Sequence, residues 1–139
     1  MNWIFWALFS ALFAAATAVL AKVGVAHVDS NLATAIRTTV VLVFAWAIAI
    51  SLGKHGEIRE VDGRAWLFLT LSGLATGLSW LCYFRALQLG PASRVAPLDK
   101  LSVVLVMVFA VLFLGEKLSP AALVGGGLIA AGAVVMVLA

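Results

Sequence analysis

Five ionisable side chains stand within or at the edges of long apolar runs: Lys22, Arg37, Arg85, Asp99 and Lys100. At the centre of a membrane span such a group costs about 2.5–3.5 kcal/mol, so these positions are the first place to look for chemistry. Long Lys and Arg side chains near a span end can snorkel to the headgroups, which is the plain explanation for Arg94 and Lys100. Asp99 carries a short carboxylate that cannot reach as far. It is expected to pair with Arg37, Arg85 or Lys22, or to sit near the positive N-terminal end of its own helix. Either a structural ion pair or a functional pathway residue satisfies that pattern. Glu116 is the weaker acidic candidate for handling a proton.

A second constellation lies in the run from Trp66 to Leu87. Ser72, Thr76, Ser79 and Tyr83 recur at helical spacing and share one face, with Trp80 beside them. Hydroxyls and large aromatics at that depth suit the wall of a cavity for an amphipathic or aromatic compound. Gly73 and Gly77 form a G-x-x-x-G pair that suits close helix packing. Ala11, Ala15 and Ala18 with Lys22 form a similar face, serving either packing or a cavity. Gly125, Gly126, Gly127 and Gly132, set among alanines, predict a close helix–helix contact, a dimer seam being one option.

The elements that position these residues follow from composition. The chain has 139 residues, 65% of them hydrophobic and 11% charged, against about 25% charged in soluble domains. A water-facing surface cannot be built from this. The charges are also segregated, densest between Lys54 and Arg64, as membrane spans with polar connections require. Five segments reach spanning length: Trp3–Val23, Leu32–Leu52, Trp66–Leu87, Val95–Leu114 and Pro120–Leu138. An open sheet cannot span lipid and no alternating pattern is present, so the expected fold is all-α integral membrane, a single domain over 1–139. Asp29, Ser30 and Asn31 offer caps for the second span. Gly53 and Gly90-Pro91 are stop signals. In Gly115-Glu116-Lys117-Leu118-Ser119-Pro120, Gly115 suits a C-terminal cap, Ser119 an N-cap and Pro120 a first helical position, making the last two spans an antiparallel hairpin. Val19-Leu20-Ala21 resembles a cleavage site, but no basic residue precedes the apolar run. That run also exceeds the ~7–15 residues of a signal core, so a retained first helix is expected.

An odd number of spans puts the termini on opposite sides. One side then holds Lys54, Arg59, Arg64 and Lys117; the other holds Lys22, Arg37, Arg85, Arg94 and Lys100. This alternation brings Lys22, Arg37, Arg85, Asp99 and Lys100 to a similar depth, in one polar layer. Orientation is set mainly by the Lys/Arg imbalance, which here almost vanishes. Either fine detail or a partner fixes one orientation, or copies insert both ways and pair antiparallel, an intermolecular version of inverted repeats. The more basic side is balanced only by Asp29 and Asp99, forming a vestibule that could attract an anionic solute or meet lipid headgroups.

Other chemistries find little support. The net charge of +3 comes without a basic patch interleaved with aromatics, so nucleic acid is not an expected partner. Cys82 is single and lies in an apolar run, which excludes a disulfide framework, and no metal-ligand spacing exists. Neither a cofactor nor a metal is expected. His27 and His55 fall in loops without a nucleophile to serve, and no phosphate-binding Walker loop is present. Neither an enzyme nor an ATP-driven pump is indicated.

The stretch from Ala86 to Val137 resembles the closing part of an EamA repeat of the drug/metabolite transporter superfamily. The matching features are Ala86, Gly90-Pro91-Ala92-Ser93, Leu114-Gly115-Glu116 and the Gly-rich last span with Gly132. The first half fits the same repeat in length and helix count. The resemblance implies a transporter of small organic solutes working by alternating access, in a bacterial inner membrane. Typical members carry two inverted five-helix repeats in one chain, whereas this sequence holds one, which implies a homodimer. Small multidrug resistance proteins of that superfamily pair likewise but rely on an acidic residue in the first span, where this chain has only Lys22. Proton coupling, if present, then falls to Asp99 or Glu116, the latter also placed to brace the last turn. Alternatives are a flippase for lipid or lipid-linked anionic metabolites, whose phosphates the basic layer would bind, or a non-transporting membrane subunit.

Overall fold

The computed structural model describes residues 2–139. Six α-helices and one short 3₁₀ segment make up the fold, with no strand among the described residues. They are α1 (Trp3–Gly24), α2 (Ser30–Ser51), α3 (Gly63–Leu89), α4 (Ala92–Asp99), α5 (Leu101–Leu114) and α6 (Pro120–Leu138), with the 3₁₀ segment Lys54–Arg59 after α2. Counting α4 and α5 as one span, five helices are long and apolar enough to cross a membrane. Large apolar side chains lie on their outer surfaces, with Phe113 78% and Leu138 80% exposed. Such a surface is compatible with hydrocarbon and not with water. The protein is an all-α integral membrane protein.

The chain divides into two compact units, Val23–Gln88 and Met1–Lys22 with Leu89–Ala139. In the first, Asp29 caps α2: its carboxylate accepts from the backbone N–H of Asn31 at 2.9 Å and of Leu32 at 3.2 Å. Two of the orphan donors of the first turn are thereby satisfied. Ser30 and Asn31 are helical rather than capping. Gly53, at φ 70°, takes the left-handed conformation that ends α2. α3 begins earlier than its apolar pattern suggests, because Asp62 accepts from the Ala65 N–H at 2.8 Å and so caps the turn that opens with Gly63 and Arg64. Three hydroxyls of α2 are satisfied within their own helix. Thr34, Thr38 and Thr39 donate to the carbonyls of Ser30, Thr34 and Ala35 at 2.8, 2.8 and 3.1 Å. The deepest burial of this unit falls on Val25, Ser30, Thr34, Phe84 and Leu87.

In the second unit α6 packs against both α4 and α5. The turn between α5 and α6 matches the expected signals. Gly115 sits at φ 67°, the Glu116 N–H reaches back to the Ala110 carbonyl at 3.1 Å, and Ser119 Oγ accepts from the Ala122 N–H at 3.1 Å ahead of Pro120. Gly126 is buried: a Cβ there would lie 2.8 Å from Met107 Sδ and 3.0 Å from its Cε. A Cβ at Gly125, Gly127 or Gly132 would meet nothing within 4 Å.

The fourth span departs from expectation. It starts at Ala92, not Val95, and is interrupted at Lys100. Pro97 lies inside α4 and has no N–H to give, so the ladder tightens around it. The Lys100 N–H bonds the Pro97 carbonyl at 3.0 Å, and the Val103 N–H bonds the Lys100 carbonyl at 3.0 Å.

Candidate functional site

The unit Val23–Gln88 brings one basic residue of α2 onto aromatic residues of α3. Trp80 and Phe84, one helical turn apart, share a face of α3. The Arg37 guanidinium carbon lies 4.2 Å from the Trp80 ring centroid and 5.5 Å from that of Phe84. Arg37 and Trp80 are half-buried and Phe84 is buried. Arg37 stands about 10 Å along α2 from its first residue, at 1.5 Å per residue, well inside the span. A guanidinium keeps its charge there and gains from the negative face of the rings, by about 0.5–2 kcal/mol.

Around this stack the hydroxyl face of α3 is open. Thr76 Oγ1 donates to the Ser72 carbonyl at 2.9 Å, which leaves its lone pairs as acceptors. Ser72, Thr76 and Ser79 are exposed and Tyr83 is half-buried. A Cβ at Gly73 or Gly77 would meet nothing within 4 Å. The chain itself therefore puts no neighbour against that glycine pair.

Arg85, the second arginine of this unit near the same end, is engaged differently. Its Nη1 donates to Gln88 Oε1 at 3.1 Å, and Gln88 Nε2 donates to the Val28 carbonyl at 2.7 Å and the Val25 carbonyl at 3.3 Å. Gln88 thus ties the end of α3 to the connection between α1 and α2. Neither Gln88 nor Phe84 was singled out from the sequence. A glutamine at a span end and one phenylalanine among eight carry no distinguishing pattern; only the fold shows what they face.

The remaining candidates lie in the other unit. Lys22 Nζ donates to the Gly90 carbonyl at 2.8 Å, so this cation at the end of α1 serves the connection that precedes α4. Asp99 does not fall in the first turns of an unbroken helix. It is the last residue of α4, beside the break, and its ion pair is with Lys100, at 3.5 Å. The expectation of a pair with Arg37, Arg85 or Lys22, or of placement at a helix N-terminus, is corrected accordingly. Pro97 lies two residues before Asp99, inside the same helix. Glu116 is exposed, its backbone N–H holding the turn after α5. Among the described residues no group of three His, Cys, Asp or Glu side chains is placed to hold a metal ion.

Five apolar spans suit a bilayer, and within them lie a cation stacked on aromatic rings and an interruption of the fourth span. The chain belongs to the EamA-like transporter family, whose model matches residues 1–138. It is similar to an uncharacterized transporter in the cobO 3' region of a Sinorhizobium species, with 60% identity over 135 residues, covering 97% of this chain and 96% of that relative. No solved structure matches it. The protein is a membrane transporter, and its family points away from an enzyme.

Proposed function

We propose that the chain is a secondary transporter of small organic solutes, working by alternating access as a homodimer of oppositely inserted copies in a bacterial inner membrane. Residues 1–139 act as one five-span domain, and the second copy supplies the other half of an inverted pair. The observation that carries this reading is the even division of Lys and Arg, four on one side of the spans and five on the other, in a chain holding a single repeat. An imbalance this small gives the insertion machinery little reason to prefer one orientation. Glycines that meet no neighbour within the chain, Gly73 and Gly77 on α3 and Gly125, Gly127 and Gly132 on α6, offer close-approach surfaces to a second copy.

The solute pathway in this reading draws on Arg37, Thr76, Trp80, Tyr83 and Arg85 of one unit and on Lys22 and Asp99 of the other. Asp99 is the carboxylate that couples transport to protons, and Glu116 stands behind it as the second acidic group.

The test is the location of the C-terminus in cells, using paired reporters active on opposite sides of the membrane. Comparable signal from both is expected. Signal from one side only would sink the antiparallel homodimer, leaving a parallel dimer or an oppositely oriented partner as the missing half.

A further inference from the structure

We infer that Arg37, laid on Trp80 and Phe84, is the anion-binding residue of the transport pathway, and that the transported solute is an amphipathic carboxylate. This rests on the reading of the chain as a solute transporter and adds the substrate class to it.

Three observations converge on Arg37. Its guanidinium is stacked on the rings, 4.2 Å from the Trp80 centroid and 5.5 Å from that of Phe84. Its further interaction is electrostatic, with Tyr83, and within the unit Val23–Gln88 no described side chain accepts a hydrogen bond from its N–H edges. And no carboxylate of its own unit is placed to meet it. Asp29 is occupied as the cap of α2 and precedes Arg37 by about 12 Å of helix rise. Glu57, Glu60 and Asp62 lie beyond the far end of α2, which continues for about 20 Å past Arg37.

Stacking offsets only part of the cost of a cation at this depth. It does fix the guanidinium plane, and a fixed plane presents parallel N–H donors in the geometry that a carboxylate accepts two at a time. Trp80 and Phe84 give an aromatic wall against the guanidinium, suited to the apolar body of the same molecule. Arg85 shows the alternative: it is exposed near the end of α3 and gives one of its five N–H donors to Gln88 at 3.1 Å. Of the two arginines, the one deeper in its span keeps its donor edges open.

The test compares two probes that differ only in charge, phenylacetate and phenylacetamide. Equilibrium binding of radiolabelled forms is measured on the purified full chain in phosphatidylcholine nanodiscs. The acid is expected to bind about tenfold more tightly than the amide, as a charge-assisted bidentate contact would give. Arg37→Gln should bring the two to equal affinity, and Arg37→Lys should retain a reduced preference. Trp80→Leu should weaken both probes, and Arg59→Gln, an exposed loop arginine, should leave the preference intact. If Arg37→Gln does not yield folded protein by size-exclusion profile, the Lys and Trp80→Leu variants decide.

Equal binding of acid and amide overturns the inference, as does binding of neither or an acid preference that survives loss of Arg37. So does an acid preference abolished by adding phosphatidylglycerol, which would make Arg37 a lipid-headgroup contact. Flux into proteoliposomes, read separately, keeps the two proposals apart. Arg37-dependent binding without flux removes the transporter reading and leaves the site. Equal flux of acid and amide without preferential binding removes only the carboxylate.

Discussion

The α2–α3 pair and the α5–α6 hairpin are both made of apolar spans, yet they are specified in opposite ways. The hairpin is defined within a few residues of its own turn: Gly115 at φ 67°, the Glu116 N–H on the Ala110 carbonyl, and Ser119 on the Ala122 N–H. Beyond the turn its contact rests on a missing side chain, that of Gly126 against Met107. In the α2–α3 pair the specifying contacts join distant residues, Arg37 on Trp80 and Phe84, and Gln88 with Val28, 60 positions away. Lipid explains the contrast. Apolar side chains gain little by leaving hydrocarbon for one another, so helices associate through close approach or through polar contacts. The hairpin uses the first means and the α2–α3 pair the second, which leaves polar groups where a solute can meet them.

The strongest way to break this comparison is to fill the hairpin's close contact. At Gly126 an alanine methyl would meet the flexible end of Met107, at 2.8 Å from Sδ, which can move aside. A leucine has no such escape. Gly126→Leu is expected to destabilise the folded chain by about 2–3 kcal/mol, the upper part of the overpacking range, seen as a lower thermal midpoint in detergent. The matched change on α3 is Gly77→Leu, at a position where a Cβ would meet nothing within 4 Å. It should leave monomer stability nearly unchanged and, if the proposed homodimer forms through this face, shift it toward monomer. Equal thermal losses from both would mean that the two regions do not differ in the way described.

The sequence reading succeeded where the governing interactions are local and failed where they are not. The five spans follow from length and apolarity alone. Asp29, Gly53, Gly115, Ser119 and Pro120 announce helix ends because capping acts across three or four residues. Asp62 does the same for α3, where Gly63 and Arg64 keep the first turn out of the apolar run that begins at Trp66. Pro97 was visible too, but a proline in a span can be absorbed by a gentle bend, so the interruption at Lys100 was not foreseen. Of the site, Arg37 and Trp80 stood out by being expensive or unusual in lipid. That they stack on each other, and that Phe84 and Gln88 matter, depends on how α2 and α3 are aligned, which spacing along either helix does not express.

A smaller effect is expected at Gln88, where the tie between α3 and the α1–α2 connection can be cut without changing side-chain size much. Gln88→Leu leaves the Val28 and Val25 carbonyls without the donors now at 2.7 and 3.3 Å. It also removes the acceptor of Arg85. For half-buried carbonyls with some recourse to water, a loss of about 1–2 kcal/mol follows. Faster amide exchange confined to the first turn of α2 would mark the loss as local. Exchange that rises along all of α2 and α3 would show that Gln88, rather than the Arg37 stack, holds the pair together.

The smallest effect on stability, and the sharpest on function, is expected at the break in the fourth span. Asp99 and Lys100 form a 3.5 Å pair with side chains 39% and 56% exposed. Exposed pairs contribute about 0–1 kcal/mol, so Asp99→Asn should lie at the low end of that range in a thermal melt. The same change removes the carboxylate while keeping its shape. If Asp99 couples transport to protons, the asparagine variant should lose the pH dependence of flux in proteoliposomes although its fold is unchanged. Flux that keeps both its rate and its pH dependence would reduce Asp99 to a neutralising partner for Lys100. The interruption at Pro97 would then be a matter of helix geometry, and the polar business of the protein would lie wholly with the α2–α3 pair.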